Sequence, residues 1–468
     1  MVKCKFCNKN LKKKSSFIRH ITETHSPKKI CPYCFKFYGR LNPHLTTCKN
    51  YQRHKLNQLK VIGQEIYFLK PFIVHNTKVK PIKSFTKDFD LNNSKQIANS
   101  PFYFSEENKI GEGSYCNVFY GFNRKTCSEC AIKIFKDKGK DYHNFLLEES
   151  MLKKFKDIIV FPSLFFSSKK DMIIVESLLG PNLKKLLTFC DNKFPIITVC
   201  YIGIEVISRL QDYHEKGYIH RDIKPSNLVW GNLSDNLNEL KDNIILIDYN
   251  LSGIYKLDNE THIPYGKDEV FFGNSTYNSI NSYQYIAHSR RDDIESLMYV
   301  LIYLYKGDLP WNNETITNLY NKLNRRKLKK NENNPEIVEG VISKKRIIYE
   351  LKKKISTKTL CDELPDEFCM ILDYAKNMKF EEEPNYELIK DLFKRVIKNN
   401  EKNSEEDYYK FIWEKKLVNC LEEFKNGNKE NLMKAKESLF HGYYIDIEYF
   451  IKCLRTIDKI NLIPIVEK

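Results

Sequence analysis

The most informative stretch of this chain is His220-Arg221-Asp222-Ile223-Lys224-Pro225-Ser226-Asn227, which is followed by Ile247-Asp248-Tyr249-Asn250. It contains a carboxylate that can act as a base (Asp222) and a cation two residues later (Lys224). It also contains two oxygen ligands suited to a hard metal ion, Asn227 and Asp248. A lone Asp-x-Lys is usually solvated surface, but chance rarely produces this full order of groups.

The same order of groups is the one that phosphoryl transfer from ATP requires. The reaction needs an acceptor hydroxyl held in line, a carboxylate to take its proton, and metal ions that absorb charge on the phosphates. Asp222 would orient and deprotonate the hydroxyl, and Lys224 would reach the transferring phosphoryl group. Asn227 and Asp248 would hold magnesium.

A candidate nucleotide-binding segment precedes this stretch. Residues 110–118 read as strand, turn and strand with two glycines, which let the backbone approach phosphates closely. Lys133 would then neutralise the α- and β-phosphates, provided that a Glu on the next helix, about 142–155, holds it. Glu149 is the predicted partner, and the adjacent Glu148 is the alternative. The predicted cofactor-binding residues are Ile110, Gly111, Glu112, Gly113, Ser114, Val118, Ala131, Lys133, Asn227 and Asp248.

Residues 220–227 resemble the catalytic loop of protein kinases, and Ala131-Ile132-Lys133 resembles their strand Lys motif. Further segments, covering about residues 103–399 in all, are similar to the casein kinase 1 family: Leu178-Leu179-Gly180-Pro181-Asn182-Leu183, Ser279-Ile280-Asn281, Ser289-Arg290-Arg291-Asp292-Asp293-Ile294-Glu295-Ser296-Leu297 and Leu309-Pro310-Trp311. The resemblance implies an α+β, two-lobed protein kinase fold with a β-rich N-lobe and an α-helical C-lobe. It also implies a serine/threonine protein kinase that uses ATP and magnesium, with protein substrates.

The resemblance implies structural roles for two further residues, and it has three departures. Asp293 would anchor the backbone of the catalytic loop, and His220 would pack behind it. Cys116 replaces the third loop glycine, and Asn250 replaces the glycine of Asp-Phe-Gly, where it would take up a positive φ. Thr276 replaces an Arg that family members use for primed, acidic substrates, which predicts weak dependence on priming. The first two departures leave open a pseudokinase scaffold as the alternative function.

The N-terminal residues carry two sets of metal-ligand types at zinc-finger spacing. Residues 1–26 have the pattern C-x2-C-x12-H-x4-H of a two-Cys two-His finger, with two ligands on a hairpin and two on a helix. Residues 27–49 form a second, shorter module with Cys as its last ligand. The predicted zinc ligands are Cys4, Cys7, His20, His25, Cys31, Cys34, His44 and Cys48.

The partner of these modules stays open at the level of sequence. The formal net charge of +17 favours an anionic partner, although solvated Lys-rich helices give the same balance. Nucleic acid and protein are both consistent partners, so a nucleic-acid-binding zinc-finger regulator is a further alternative function.

The motifs divide the chain into a central domain and two flanking segments. Residues 50–102 are predicted to be a basic connector, 103–399 the kinase domain, and 400–468 a helical C-terminal extension. We find neither an apolar signal core nor an apolar run long enough to span a bilayer. The expected location is therefore intracellular, cytoplasmic or nuclear, and in a host cell if the protein is viral. The abundance of Lys, Asn and Ile suggests an A/T-rich genome, viral or protist.

Overall fold

The computed structural model describes residues 2–3, 10–11, 94–126, 128–156, 158, 160–231, 244–257, 260–328, 342–400, 411–428 and 430–440. The chain divides into two compact units, 1–84 and 85–468. In the first unit, β1 (Val2–Lys3) pairs antiparallel with β2 (Asn10–Leu11). The eight predicted zinc ligands lie outside the described residues, so the zinc sites stay predictions: Cys4, Cys7, His20, His25, Cys31, Cys34, His44 and Cys48.

The second unit begins with a six-stranded antiparallel sheet in the order β3-β4-β5-β6-β8-β7. Its core forms because alternate residues of a strand point to the same face, and apolar side chains occupy that face in neighbouring strands. Phe104 and Phe119, for example, pack with ring centroids 5.3 Å apart. The strands are β3 (Lys95–Gln96), β4 (Phe102–Glu112), β5 (Cys116–Asn123), β6 (Ser128–Phe135), β7 (Leu164–Ser168) and β8 (Ile173–Glu176).

This sheet begins earlier in the chain than the sequence predicted. Residues 95–96 pair with Phe104 and Tyr103 of β4, although the prediction placed them in the connector. A single helix, α1 (Tyr142–Lys154), packs against β7 and completes the N-lobe.

The second lobe is helical and is built around α3 (Ile196–Glu215), which packs against α5 (Arg290–Lys306) and α10 (Tyr386–Asn400). Its buried residues recur at helical spacing, so one stripe of α3 lies in the core. Gly203 allows close approach to α10, because an added Cβ would lie 2.7 Å from the Phe393 ring. The other helices are α2 (Leu183–Phe189), α4 (Ile280–Tyr283), α5 (Arg290–Lys306), α6 (Asn313–Leu328), α7 (Lys344–Lys354), α8 (Thr357–Leu360), α9 (Asp366–Asn377) and α10 (Tyr386–Asn400).

Two short strand pairs bring the motif residues together. Strand β9 (Tyr218–Ile219) pairs with β12 (Gly253–Ile254), and β10 (Leu228–Trp230) pairs with β11 (Ile244–Leu246), both antiparallel. Residues 220–227 therefore connect β9 to β10, while residues 247–252 connect β11 to β12. The two connections meet where the Ile247 amide donates to the Asn227 carbonyl at 3.0 Å.

The described part of the predicted C-terminal extension is helical. Helices α11 (Ile412–Lys425) and α12 (Glu430–Phe440) pack on each other, and α12 packs on α2 of the helical lobe. Sheet lobe and helical lobe together form the two-lobed α+β arrangement that the sequence predicted. Among the described helices, none is both long and apolar enough to cross a membrane.

Candidate active site

The predicted base, cation and amide of the first motif lie within hydrogen-bonding distance of one another. Lys224 Nζ donates to Asp222 Oδ2 at 2.5 Å, and Asn227 Nδ2 donates to the same oxygen at 3.1 Å. The Asn227 Nδ2 also donates to the Asp222 carbonyl at 3.0 Å, across the 3₁₀ turn formed by residues 225–227. Asp222 is thus held in one orientation by its own loop.

A buried carboxylate fixes the backbone of this loop. Asp293 accepts hydrogen bonds from the amides of His220 (2.7 Å) and Arg221 (2.9 Å), which confirms the anchoring role predicted for it. Arg221 has a φ of +65°, a strained conformation that these bonds help to hold. Burial alone would raise the pKa of Asp293, but the neighbouring His214 and the backbone donors hold that pKa below its ordinary value.

His220 has the packing role that the resemblance implied. Its Nδ1 accepts from the Asp222 amide at 3.3 Å, so its Nε2 carries the proton that is donated to the Ile247 carbonyl at 3.1 Å. Burial lowers the pKa of His220, which favours this neutral tautomer. The ring therefore bridges the two motif-bearing connections.

The turn at residues 248–250 differs from the sequence prediction, which gave Asn250 a positive φ. The positive φ of +69° belongs to Asp248, and Asn250 is not among the described residues with positive φ. The expectation for Asn250 was wrong, because the turn places the strained conformation two residues earlier. The Asn250 side chain instead donates from Nδ2 to Asp248 Oδ1 at 2.6 Å.

Lys133 pairs with Glu148, and the predicted partner Glu149 was wrong. Lys133 Nζ lies 2.6 Å from Glu148 Oε1, whereas Glu149 Oε1 binds Lys153 at 2.7 Å and Ser167 at 2.6 Å. Neighbouring positions of a helix point about 100° apart, so only one of the two can face the sheet. The spacing of motifs along the chain does not reveal that rotation.

Lys133 has a second carboxylate partner, Glu176, at 3.0 Å. Burial would lower the pKa of Lys133, but Glu148 and Glu176 raise it well above its ordinary value. Burial raises the pKa of Glu148 to about 7, against the opposing effect of Lys133. Lys133, Glu148 and Glu176 therefore form a buried cluster, in which the ionisation of each side chain is affected by the charges of the other two.

The segment after Asp248 is tied to the same cluster. The Tyr249 amide donates to Glu148 Oε2 at 3.0 Å, and the Tyr249 ring is fully buried against Tyr213, with centroids 5.8 Å apart. Tyr249 therefore anchors the segment after Asp248 in the core of the helical lobe. Helix α1, Lys133 and Asp248 are held in one connected arrangement.

A cavity of about 500 Å³ lies between the sheet and the helical lobe, and Lys133, Glu176 and Asp248 line it. The predicted catalytic residues Asp222 and Glu149 are not among its lining residues. Ser114 is the exception among the predicted cofactor-binding residues: it sits exposed at the turn between β4 and β5 and does not line the cavity. The predicted residues that line it are Ile110, Gly111, Glu112, Gly113, Val118, Ala131, Lys133, Lys224, Asn227 and Asp248.

The sequence of residues 104–403 matches the family described as protein kinase domain. The chain belongs to the protein kinase family. Its N-lobe sheet, helical C-lobe and intervening cavity are consistent with that membership, and the membership implies phosphoryl transfer from ATP with magnesium to protein substrates.

The residues of the kinase fit a magnesium-bound nucleotide. Asn227 and Asp248 both line the cavity, and oxygen ligands of this kind are the ones magnesium prefers. The Asn227 amide nitrogen donates to Asp222, which leaves its Oδ1 to face a cation. Magnesium would supply neutralisation of phosphate charge at this place.

Sequence reasoning missed several residues of the kinase's cavity. Cys116 lines the cavity, and burial raises the pKa of its thiol to about 12. The thiol is therefore protonated and is not a nucleophile. Its position in the glycine loop was the available signal. Leu439 of α12 also lines the cavity, and no motif marks it. The other missed lining residues include Tyr120, Glu176, Ser177, Lys185, Ser226, Val229 and Ile247.

Proposed function

We propose that this kinase is a serine/threonine protein kinase of the casein kinase 1 type, which N-terminal zinc modules direct to its targets. The observation that carries the catalytic part is the convergence of Lys224 and Asn227 on one oxygen of Asp222; both residues line the same cavity as Asp248. Among protein kinases, the Asp-x-Lys arrangement favours Ser and Thr acceptors over Tyr.

Each group then has a defined part in the transfer. The contacts described above occupy Oδ2 of Asp222, so Oδ1 accepts the hydrogen bond and the proton of the substrate hydroxyl. Lys224 stabilises charge on the transferring phosphoryl group. Lys133, oriented by Glu148, binds the phosphates that remain with the nucleotide.

The casein kinase 1 proposal is supported by Ser279-Ile280-Asn281, which stand where most kinases have Ala-Pro-Glu, a replacement that the family shares. Ser279 Oγ and Asn281 Nδ2 both donate to Asp292 Oδ1, at 2.7 and 2.9 Å. The Ile280 amide donates to Glu295 Oε1 at 3.0 Å. Ser-Ile-Asn thereby fastens the substrate-side segment to α5 without the usual Glu.

The catalytic proposal is tested by phosphate incorporation into casein with Mg·ATP. Asp222→Asn keeps the shape of the side chain but removes the base, so we expect kcat to fall by about 10²-fold or more. Asp391→Asn, at an exposed position of α10, is the matched control and should keep wild-type activity. Phosphoamino-acid analysis should find phosphoserine or phosphothreonine; phosphotyrosine alone would contradict the specificity.

A pseudokinase scaffold is the rival, favoured by Asn250 at a glycine position and by Cys116 in the loop. Retention of Lys133, Asp222 and Asp248 in contact with their partners supports an enzyme instead. A wild-type protein that binds Mg·ATP in a calorimeter but transfers no phosphate to any protein would establish the scaffold.

The zinc modules are proposed from sequence alone. We expect two zinc ions per purified chain by elemental analysis, and one ion for Cys4→Ser or Cys31→Ser. Their partner is either a nucleic acid or a protein, in the cytoplasm or nucleus. DNA or RNA binding that weakens steeply with salt, and that either Cys→Ser variant loses, would establish the nucleic-acid-binding regulator.

A further inference from the structure

The C-terminal helix α12 contributes a side chain to the nucleotide cavity. Leu439 lies among the residues that line it and is only 1% exposed. It is beyond residues 104–403, which match the protein kinase family. The cavity wall is therefore built partly by a segment outside the shared domain.

The segment leading to Leu439 is fixed on the helical lobe. Trp413 packs against Phe194 and Trp230, with centroids 5.2 and 6.1 Å away. Lys416 Nζ donates to the Phe189 carbonyl at 2.7 Å and to Asp191 Oδ2 at 2.7 Å. Because aromatic packing and charged contacts act together, α11 provides a firm base for α12.

Helix α12 then packs against α2, whose first turn lies at the cavity. Asn182 caps α2 by accepting from the Lys185 amide at 3.0 Å, and both residues line the cavity. The part of the cavity next to the first turn of α2 also includes Pro181, where the chain passes from the N-lobe to the helical lobe. Lys133 and Asp248, the groups proposed for phosphates and metal, belong to other elements.

This end of the cavity combines apolar lining residues, Leu178, Leu179 and Leu439, with the polar Asn182 and the partly buried Lys185. Burial lowers the pKa of Lys185 to about 8, which agrees with poor solvation there. The backbone is also closely packed, since a Cβ on Gly180 would lie 2.2 Å from the Trp230 carbonyl oxygen. A nucleoside, with its flat base and ribose, suits such a surface better than a phosphate does.

We propose that Leu439 is a nucleoside-contacting residue, so that residues 411–440 are a working part of the ATP site and limit the size of the nucleoside that enters. The inference rests on the proposed function. ATP packs against the Leu439 side chain, and a nucleotide with a bulky ribose substituent collides with it.

The test compares ATP with 2′/3′-O-(N-methylanthraniloyl)-ATP as substrates of the full-length protein. For Leu439→Ala we expect the KM for ATP to rise about threefold, the KM for the bulky analogue to fall about fivefold and kcat to change little, because only apolar ground-state contact is altered. Leu439→Trp should shift the preference the other way, towards rejection of the analogue.

Leu432→Ala is the matched control, since Leu432 is fully buried in the same helix and does not line the cavity. Equal changes in both Ala variants, or an unchanged ratio of the two KM values in the Ala and Trp variants, would overturn the inference. A wild type that phosphorylates casein normally while those ratios stay fixed leaves the proposed function standing. A wild type that neither binds nor turns over ATP overturns both.

Discussion

Asn250 donates a hydrogen bond of 2.6 Å from its Nδ2 to Oδ1 of Asp248, at a position where related kinases have a glycine. Asp248 itself has the left-handed φ of +69°, which is costly for a residue with a Cβ. The bond therefore orients the strained Asp248, the proposed magnesium ligand, and it leaves Oδ2 as the carboxylate oxygen available to a cation. Asn250 in place of glycine therefore adds a hydrogen bond that orients the Asp248 carboxylate.

Asn250→Ala is expected to lower kcat about tenfold and to raise the magnesium concentration needed for half-maximal activity, because outer-shell partners orient metal ligands. Casein phosphorylation over a magnesium titration measures both. The control is Asn321→Ala, an exposed position of α6. Wild-type magnesium dependence in Asn250→Ala would show that Asp248 needs no such support.

Glu148 and Glu149 are adjacent on α1 yet face different partners, which gives a matched pair of variants. Glu148→Gln removes the charge that faces Lys133 and weakens the acceptor of the Tyr249 amide. We expect kcat/KM to fall about 10²-fold, because Lys133 keeps only Glu176 as a charged partner and is no longer held in place by α1. Glu149→Gln affects Lys153 and Ser167 and should keep activity within about threefold. The opposite ranking in casein assays would restore Glu149 as the functional partner.

Thr276 predicts how the kinase treats primed substrates. Its carbonyl accepts from Trp311 Nε1 at 2.8 Å, so the backbone is fixed and a new side chain changes local charge alone. Wild type should phosphorylate a peptide and its upstream phosphoserine version at similar rates. Thr276→Arg should gain about tenfold preference for the phosphopeptide, because Arg pairs with phosphate through charge-assisted hydrogen bonds. Thr276→Gln, whose side chain is long but uncharged, is the control. A strong preference of the wild type for the phosphopeptide would contradict the prediction.

Three buried histidines predict that stability falls in mild acid. Burial lowers the pKa of His214, His220 and His288, so the unfolded chain binds protons more readily than the folded one. Stability is then complete above the ordinary histidine pKa of about 6.5 and is lost as the pH falls towards the folded values, by up to about 1.4 kcal/mol per pH unit for each group.

Urea unfolding between pH 7.5 and 5.5 measures this dependence. His220→Asn should reduce the loss of stability in acid, because it removes one of the three histidines with a lowered pKa; Glu148, whose pKa burial raises to about 7, contributes with the opposite sign in both proteins. The exposed His143→Asn is the control and should keep the wild-type slope. A flat profile for the wild type over this range would contradict the prediction.

Contiguous motifs made the catalytic half of the site predictable. Asp222, Lys224 and Asn227 lie in one short loop, where local backbone geometry largely sets their contacts, and all three meet as expected. Asp293 was also identified correctly, although it lies on a distant helix, because the family resemblance carried its position.

Other parts of the site depend on long-range packing. The rotation of α1, which turns Glu148 rather than Glu149 towards Lys133, follows from how the helix rests on the sheet. The positive φ lies at Asp248 and not at Asn250, next to a Tyr249 amide that donates to Glu148 of a distant helix. Leu439 reaches the cavity because Trp413 and Lys416 dock α11 on the helical lobe. A linear pattern records which chemical groups are available and their order, whereas apolar contacts between distant segments choose which of them face the nucleotide.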